Sequence, residues 1–132
     1  MNYWLLKTEP GTFSWEDLVR DKRAVWDGVR NFQARKNLKA MAKGDMALIY
    51  HTGEEKAVVG IATITREGYP EPKDQAWTAV DLAPKRALKK PVSLAAIKAD
   101  KSLSKMVLVK AARLSVQPVR KEEFDHILSM GD

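Results

Sequence analysis

Three groups of residues in this 132-residue chain have types and spacings that can do chemistry. The first is Asp45 followed by Glu54-Glu55-Lys56, a D…E-x-K pattern on successive expected strands. Nucleases of the restriction-enzyme type hold Mg²⁺ with such carboxylates and set the lysine on the attacking water. Asp45 follows Gly44 in an expected turn and Glu54 follows Gly53 at an expected hairpin tip, so exposed turn carboxylates are the simpler reading. The second group is the two histidines. His51 ends an apolar strand beside Tyr50, where a lone histidine is more often a hydrogen-bonded structural residue than the base of a modification enzyme, and no cysteine or second histidine stands near it to build a metal site. His126 lies between Asp125 and Ile127 in an expected closing helix, a surface or boundary position. Nucleophile-elbow, P-loop, dinucleotide and zinc-protease motifs are all missing.

The third group is aromatic. Four tryptophans is high for this length. Trp4 lies in an apolar run and Trp77 opens another, so both read as core. Trp15 follows Ser14, and Trp26 precedes Asp27-Gly28. An indole beside turn-forming residues is a stacking surface for a flat ring, and the competing reading is an indole that lids the core. Tyr50 would be a third wall.

The elements that must position these residues follow from pattern. Tyr3–Thr8 reads as a buried strand broken by Glu9-Pro10-Gly11. Ser14 and Asp17 form a capping box for a helix ending near Arg20. Ala24–Trp26 is a short strand, and Asn31 caps a helix to about Met41 with Ala34, Leu38 and Met41 on one face. Met46–His51 and Ala57–Arg66 read as a hairpin, Tyr69-Pro70-Glu71-Pro72 as a rigid break, and Ala76–Leu82 as a further strand. Ser93–Ala99 is expected to be a short helix and Leu114–Val119 an edge strand. Lys121–Met130 should close the chain as a helix with Gly131 as its C-cap. Strands without a βαβ rhythm give an α+β class, with a small barrel or a strongly curled mixed sheet flanked by short helices, in one domain over residues 1–132.

Composition bounds the function. The chain is 45% hydrophobic and 30% charged, ordinary for a globular protein. It has no cysteine, which excludes disulfides, thiolate nucleophiles and cysteine-ligated metals. No apolar run approaches the roughly 20 residues of a membrane span, and the start lacks a signal-peptide pattern. A soluble, cytoplasmic protein with no membrane partner is expected, with a monomer favoured. Net charge is +6, and its distribution matters more. Arg20–Lys43 holds eight basic and two acidic residues, and Lys85–Arg113 holds nine basic residues against Asp100 alone. Two basic segments favour a polyanionic partner.

Trp4-Leu5-Leu6-Lys7-Thr8-Glu9-Pro10, Ser14-Trp15, and Trp26-Asp27-Gly28-Val29-Arg30-Asn31-Phe32-Gln33-Ala34-Arg35 resemble the EVE domain family. So do Gly44-Asp45, Tyr50-His51, Gly60, Tyr69-Pro70 and Arg113-Leu114-Ser115-Val116-Gln117-Pro118-Val119. The resemblance spans nearly the whole chain. It implies a PUA-like fold related to YTH and ASCH domains, and a non-catalytic module that takes a modified base of RNA, or modified cytosine of DNA, into a pocket without a cofactor. Thr52 stands where serine is usual after Tyr-His, and the Tyr69–Trp77 stretch is short. Chemically, reading a base requires taking it out of the stack and holding it between π-faces. The expected base pocket is Lys7, Ser14, Trp15, Trp26, Asn31, Tyr50, His51, Thr52 and Ser115. The expected backbone path is Arg30, Arg35, Lys36, Lys39 and Arg113. The alternatives are the Asp45, Glu54, Lys56 nuclease and an ASCH-type RNA binder that ignores modification.

Overall fold

Alternation of apolar residues builds the centre of the molecule. In the computed structural model, which describes residues 1–132, β1 (Tyr3–Thr8) sends Trp4 and Leu6 to one face and Leu5 to the other. Strand β3 (Met46–His51) does the same with Ala47 and Ile49 against Leu48 and Tyr50. These two strands run parallel, Tyr3 beside Met46 through Thr8 beside His51. All other pairings are antiparallel: β2 (Ala24–Trp26) on β5 (Thr78–Ser93), β5 on β4 (Ala57–Pro70), β4 on β3, and β6 (Val116–Val119) on β1. The spatial order is β2-β5-β4-β3-β1-β6.

The sheet is open but strongly curled. The edge strands β2 and β6 are separated by four others, yet Trp26 of β2 and Val116 of β6 belong to the same core cluster. In a flat sheet five strand spacings would hold them roughly 24 Å apart. Register shifts at four places along the β4–β5 ladder, and one between Ile49 and Tyr50 on β3–β4, supply the bend. A barrel is therefore approached but not closed.

Helices cover both faces. The capping box forms as expected: Ser14 accepts from the Asp17 N–H and Asp17 accepts from the Ser14 N–H, starting α1 (Trp15–Asp21). The Asn31 side chain accepts from the Ala34 N–H and starts α2 (Phe32–Ala40). Both helices pack inside the curl with Trp4, Leu6 and Ile49. On the convex side lie α3 (Leu94–Ala99, capped by Ser93), a 3-10 turn at Lys101–Leu103, α4 (Val107–Lys110) and α5 (Lys121–Gly131). Gly131 is the last residue of α5 rather than a cap beyond it; a Cβ there would meet a Leu88 methyl at 2.9 Å.

Three expectations need correction. Tyr69 and Pro70 continue β4, and the break falls at Glu71–Ala76. Strand β5 runs eleven residues past Leu82, because beyond that point its outer side carries no pairing and tolerates Pro84 and Pro91. Trp77 is not core: it sits in the turn before β5, half-buried, with its ring stacked on Phe32.

Gly60 shows how tightly the curl is packed. A Cβ at this position would lie 2.7 Å from the Trp15 ring. Gly60→Ala is expected to cost about 1–3 kcal/mol through overpacking, read as a lower denaturation midpoint with an unchanged slope. An unchanged midpoint would mean that Trp15 has room to move.

Candidate functional site

The unclosed seam of the sheet is a cavity of about 590 Å³. One wall is the end of β1 and the approach to β6, with Lys7, Thr8 and Ser115. The other is β2 and the loop after it, Ala24 to Arg30. Glu9, Thr12 and Phe13 close a third side. Trp26 is 9% exposed and forms part of both the core and this wall, edge-on to Phe13 with ring centres 6.1 Å apart. Apolar surfaces of Phe13, Ala24, Trp26 and Val29 thus face a rim bearing Lys7, Glu9, Asp27 and Ser115. That is the composition of a pocket for a small flat polar ligand.

The loop Asp27–Asn31 is held from below. Gly28 has φ +77, a backbone state glycine adopts without strain. Its N–H donates to Glu71, as does the Arg30 guanidinium, in a two-pronged pair at 2.8 and 2.7 Å. The Glu71 side chain is 1% exposed. Arg30 donation holds the Glu71 carboxyl below its ordinary range, although burial pushes the other way, and Glu71 raises Arg30. Arg30 thus braces the loop through Glu71, while its side chain stays 43% exposed at the rim. Glu71 carried no sequence signal, because it sits in a Pro-Glu-Pro break that reads as connection.

A second cavity of about 570 Å³ lies on the other side of the same strand end, sharing Lys7, Thr8, Glu9 and Ser115. Tyr50, Thr52, Gly53, Lys56, Lys98 and Arg113 complete most of its lining. Lys7 therefore stands between the two. Its ammonium donates to the Ala112 carbonyl and lies 5.7 Å from the Tyr50 ring centre; burial lowers its pKa. Burial likewise raises that of Tyr50.

The residues expected in one pocket are thus divided. Lys7, Trp26 and Ser115 meet in the seam; Tyr50 and Thr52 face the second cavity. Ser14 and Asn31 spend their side chains on helix caps. Trp15 is 6% exposed and packed inside the curl against Gly60, so it lines neither cavity. His51 is buried and accepts the Trp15 N–H at Nε2 (2.9 Å), while Nδ1 meets Glu55 at 2.7 Å. A ring with both nitrogens engaged is a structural tie and has no position free for a base. Of the expected backbone set, Arg35 donates to the Ala76 carbonyl, and Arg113 lines the second cavity. Lys36 and Lys39 are exposed on α2. Phe13 and Lys98 line the two cavities without any pattern in the sequence to mark them, and Asp27, marked there only as a turn residue, lines the seam.

The nuclease geometry does not form. Asp45 precedes β3 and Glu54 follows it, so the six-residue strand holds them roughly 20 Å apart. Asp45 is buried and accepts from the Asn2 N–H, the Trp4 indole and the Ala42 N–H. Glu54 and Lys56 are exposed at the hairpin tip. No helix is long and apolar enough to cross a membrane.

An unclosed, curled mixed sheet with helices on both faces and a cleft at the seam makes this an α+β domain with a single binding-sized opening between its edge strands. The chain belongs to the EVE domain family, whose model matches residues 2–130. Thymocyte nuclear protein 1 of Mus musculus is 37% identical over 165 residues, covering 98% of this chain and 73% of that protein. An NMR structure of a Rhodopseudomonas palustris protein superposes with a TM-score of 0.95 at 45% identity, covering 99% of this chain and 93% of the other. A crystal structure of human THYN1 in complex with DNA containing 5-methylcytosine superposes with a TM-score of 0.91 at 34% identity, covering 100% and 98%. An ASCH protein from Zymomonas mobilis shares the fold, with a TM-score of 0.62 at 14% identity.

Proposed function

We propose that this protein is a non-catalytic reader of DNA carrying a methylated cytosine, and that the seam cavity takes the base after it leaves the stack. The observation that carries the reading is the cavity itself, an aromatic and apolar wall facing a donor and acceptor rim, in a chain alike along its whole length to a protein solved with 5-methylcytosine DNA. The cytosine edge offers an amino donor beside two acceptors. Asp27 or Glu9 suits the amino group, and the Lys7 ammonium suits the acceptors. The Trp26 and Phe13 surfaces suit the ring and its methyl. Removing a base from the stack costs a few kcal/mol, which stacking of about 1–3 kcal/mol and the edge contacts offset.

The test is a titration with duplexes differing only in one cytosine methyl, at fixed salt. A methyl in an apolar pocket is worth roughly ten-fold or more in affinity. Equal binding of methylated and plain DNA contradicts the reading, and preference for a modified RNA moves the substrate to RNA.

Backbone affinity comes from charge. Lys36 and Lys39 are exposed, and α2 carries no acidic residue. Lys39→Gln is expected to reduce the slope of log affinity against log salt by about one, leaving the methyl preference unchanged. An unchanged slope would place the DNA away from α2.

A further inference from the structure

The largest exposed aromatic surface of the molecule lies outside the cavity and is unexplained by it. Phe32, the first residue of α2, is 69% exposed. A single exposed apolar side chain is ordinary on a protein surface, so what sets Phe32 apart is its stacking on a second aromatic ring and its basic surroundings. The ring also has aromatic and cationic neighbours. It stacks on Trp77 with centres 5.3 Å apart and planes 22° from parallel. The Arg35 guanidinium lies 5.0 Å from the Phe32 centre and 5.3 Å from that of Trp77, and donates to the Ala76 carbonyl. Arg30, braced by buried Glu71, has its guanidinium 5.3 Å from the Trp77 ring centre. Arg30 also lines the seam cavity. A chain of contacts thus links the cavity rim to an outward-facing phenyl ring, with basic Arg35, Lys36 and Lys39 on the same helix.

We infer that Phe32 is a wedge: the exposed part of its ring enters the DNA duplex at the gap left by the base that leaves the stack, and packs on a base bordering that gap. Taking a base out leaves two neighbouring base faces exposed to water and a space of one base thickness. An apolar side chain inserted between base steps compensates unstacking. The basic, acid-free α2 surface around the ring selects a polyanion over an apolar protein partner. The inference rests on the base-reading function proposed above. It adds that duplex binding needs a second aromatic group outside the pocket, which a free nucleoside or a single strand does not need.

The experiment compares wild type, Phe32→Ala and Phe32→Leu on four probes. These are a duplex with one 5-methylcytosine, the same duplex without the methyl, the methylated strand alone, and a duplex with 2-aminopurine beside the methylated cytosine. Because the side chain is exposed, fold is retained in both variants. Phe32→Ala is expected to weaken duplex binding about ten-fold or more while single-strand binding changes less than two-fold. Phe32→Leu, an apolar wedge of smaller area, should fall between. The 2-aminopurine signal should change on wild-type binding and lose most of that change with Phe32→Ala. Equal losses on duplex and single strand, or no loss on either, overturn the wedge. If wild type itself ignores the methyl, the base-reading function fails instead, so the two failures are distinguishable.

Discussion

Trp26→Ala is expected to lower stability by about 3–5 kcal/mol and to remove methyl-selective binding in the fraction that stays folded. The two effects have one cause. The indole packs in the same cluster as Trp4, Leu6, Ile49 and Val80, and one side of it forms the cavity wall. Truncation leaves a void within the curl and removes the stacking face together. For a domain of this size the melting temperature should fall by about 10 °C or more. Trp26→Phe keeps an aromatic face at smaller volume and should retain part of both properties. Denaturant unfolding gives the first number and titration of methylated duplex gives the second. A full stability loss with unchanged affinity would put the base elsewhere, with the second cavity, around Tyr50 and Lys56, the next site to probe.

Asp45→Ala should be nearly as damaging to the fold and should leave methyl preference intact. Its carboxylate is the shared acceptor for the Asn2 N–H, the Trp4 indole N–H at 3.0 Å and the Ala42 N–H at 3.0 Å. Removing it strands these donors, at about 1–3 kcal/mol for each that is cut off from water, so a total near 3 kcal/mol is expected. Burial alone would raise the Asp45 pKa, but the three donors and the nearby amino terminus outweigh it and hold it below the ordinary value. The sign follows from linkage. A depressed folded pKa means that the stabilisation is complete above the unfolded carboxyl value, near 3.9, and drains away as pH falls through the folded one. Asp45→Asn should flatten that part of the acid limb. Were Asp45 a metal ligand, its loss would instead abolish a Mg²⁺-dependent activity without a stability cost of this size. Methyl-selective binding in EDTA by both proteins is the result expected here.

Much of the scaffold is legible in the chain because local chemistry sets it. The Ser14–Asp17 box and the Asn31 cap fix where α1 and α2 begin, and the alternation in Tyr3–Thr8 and Met46–His51 fixes β1 and β3. The long arm of β5 is hidden because Pro84, Pro91 and four basic residues look like a loop, and only an unpaired outer edge makes them tolerable. The site is harder. Whether Trp15 or Trp26 faces a ligand depends on the curl, which arises from β4–β5 register shifts with no local signature. Trp15 turns inward onto Gly60, while Trp26 comes to the seam. The caps Ser14 and Asn31 were visible as caps, but a side chain used to close a helix end is not free to read a base. Glu71 and Trp77 lie in a connection whose composition says only that the chain turns, yet one braces the pocket loop and the other seats Phe32.

The four indoles offer the most direct measurement, because they occupy different places. Trp4 and Trp15 are buried away from the seam, Trp26 is in its wall, and Trp77 is under Phe32. The indole N–H resonances of ¹⁵N-labelled protein can be followed during titration with a short methylated single strand, and again with its unmethylated counterpart. Seating of the methylated base in the seam predicts a large saturating shift of the Trp26 resonance with the methylated strand. The unmethylated strand should give a much weaker response, and Trp4 and Trp15 should hold still. A Trp26 resonance that stays in place while the protein binds the methylated strand would contradict the seam as the base-binding site.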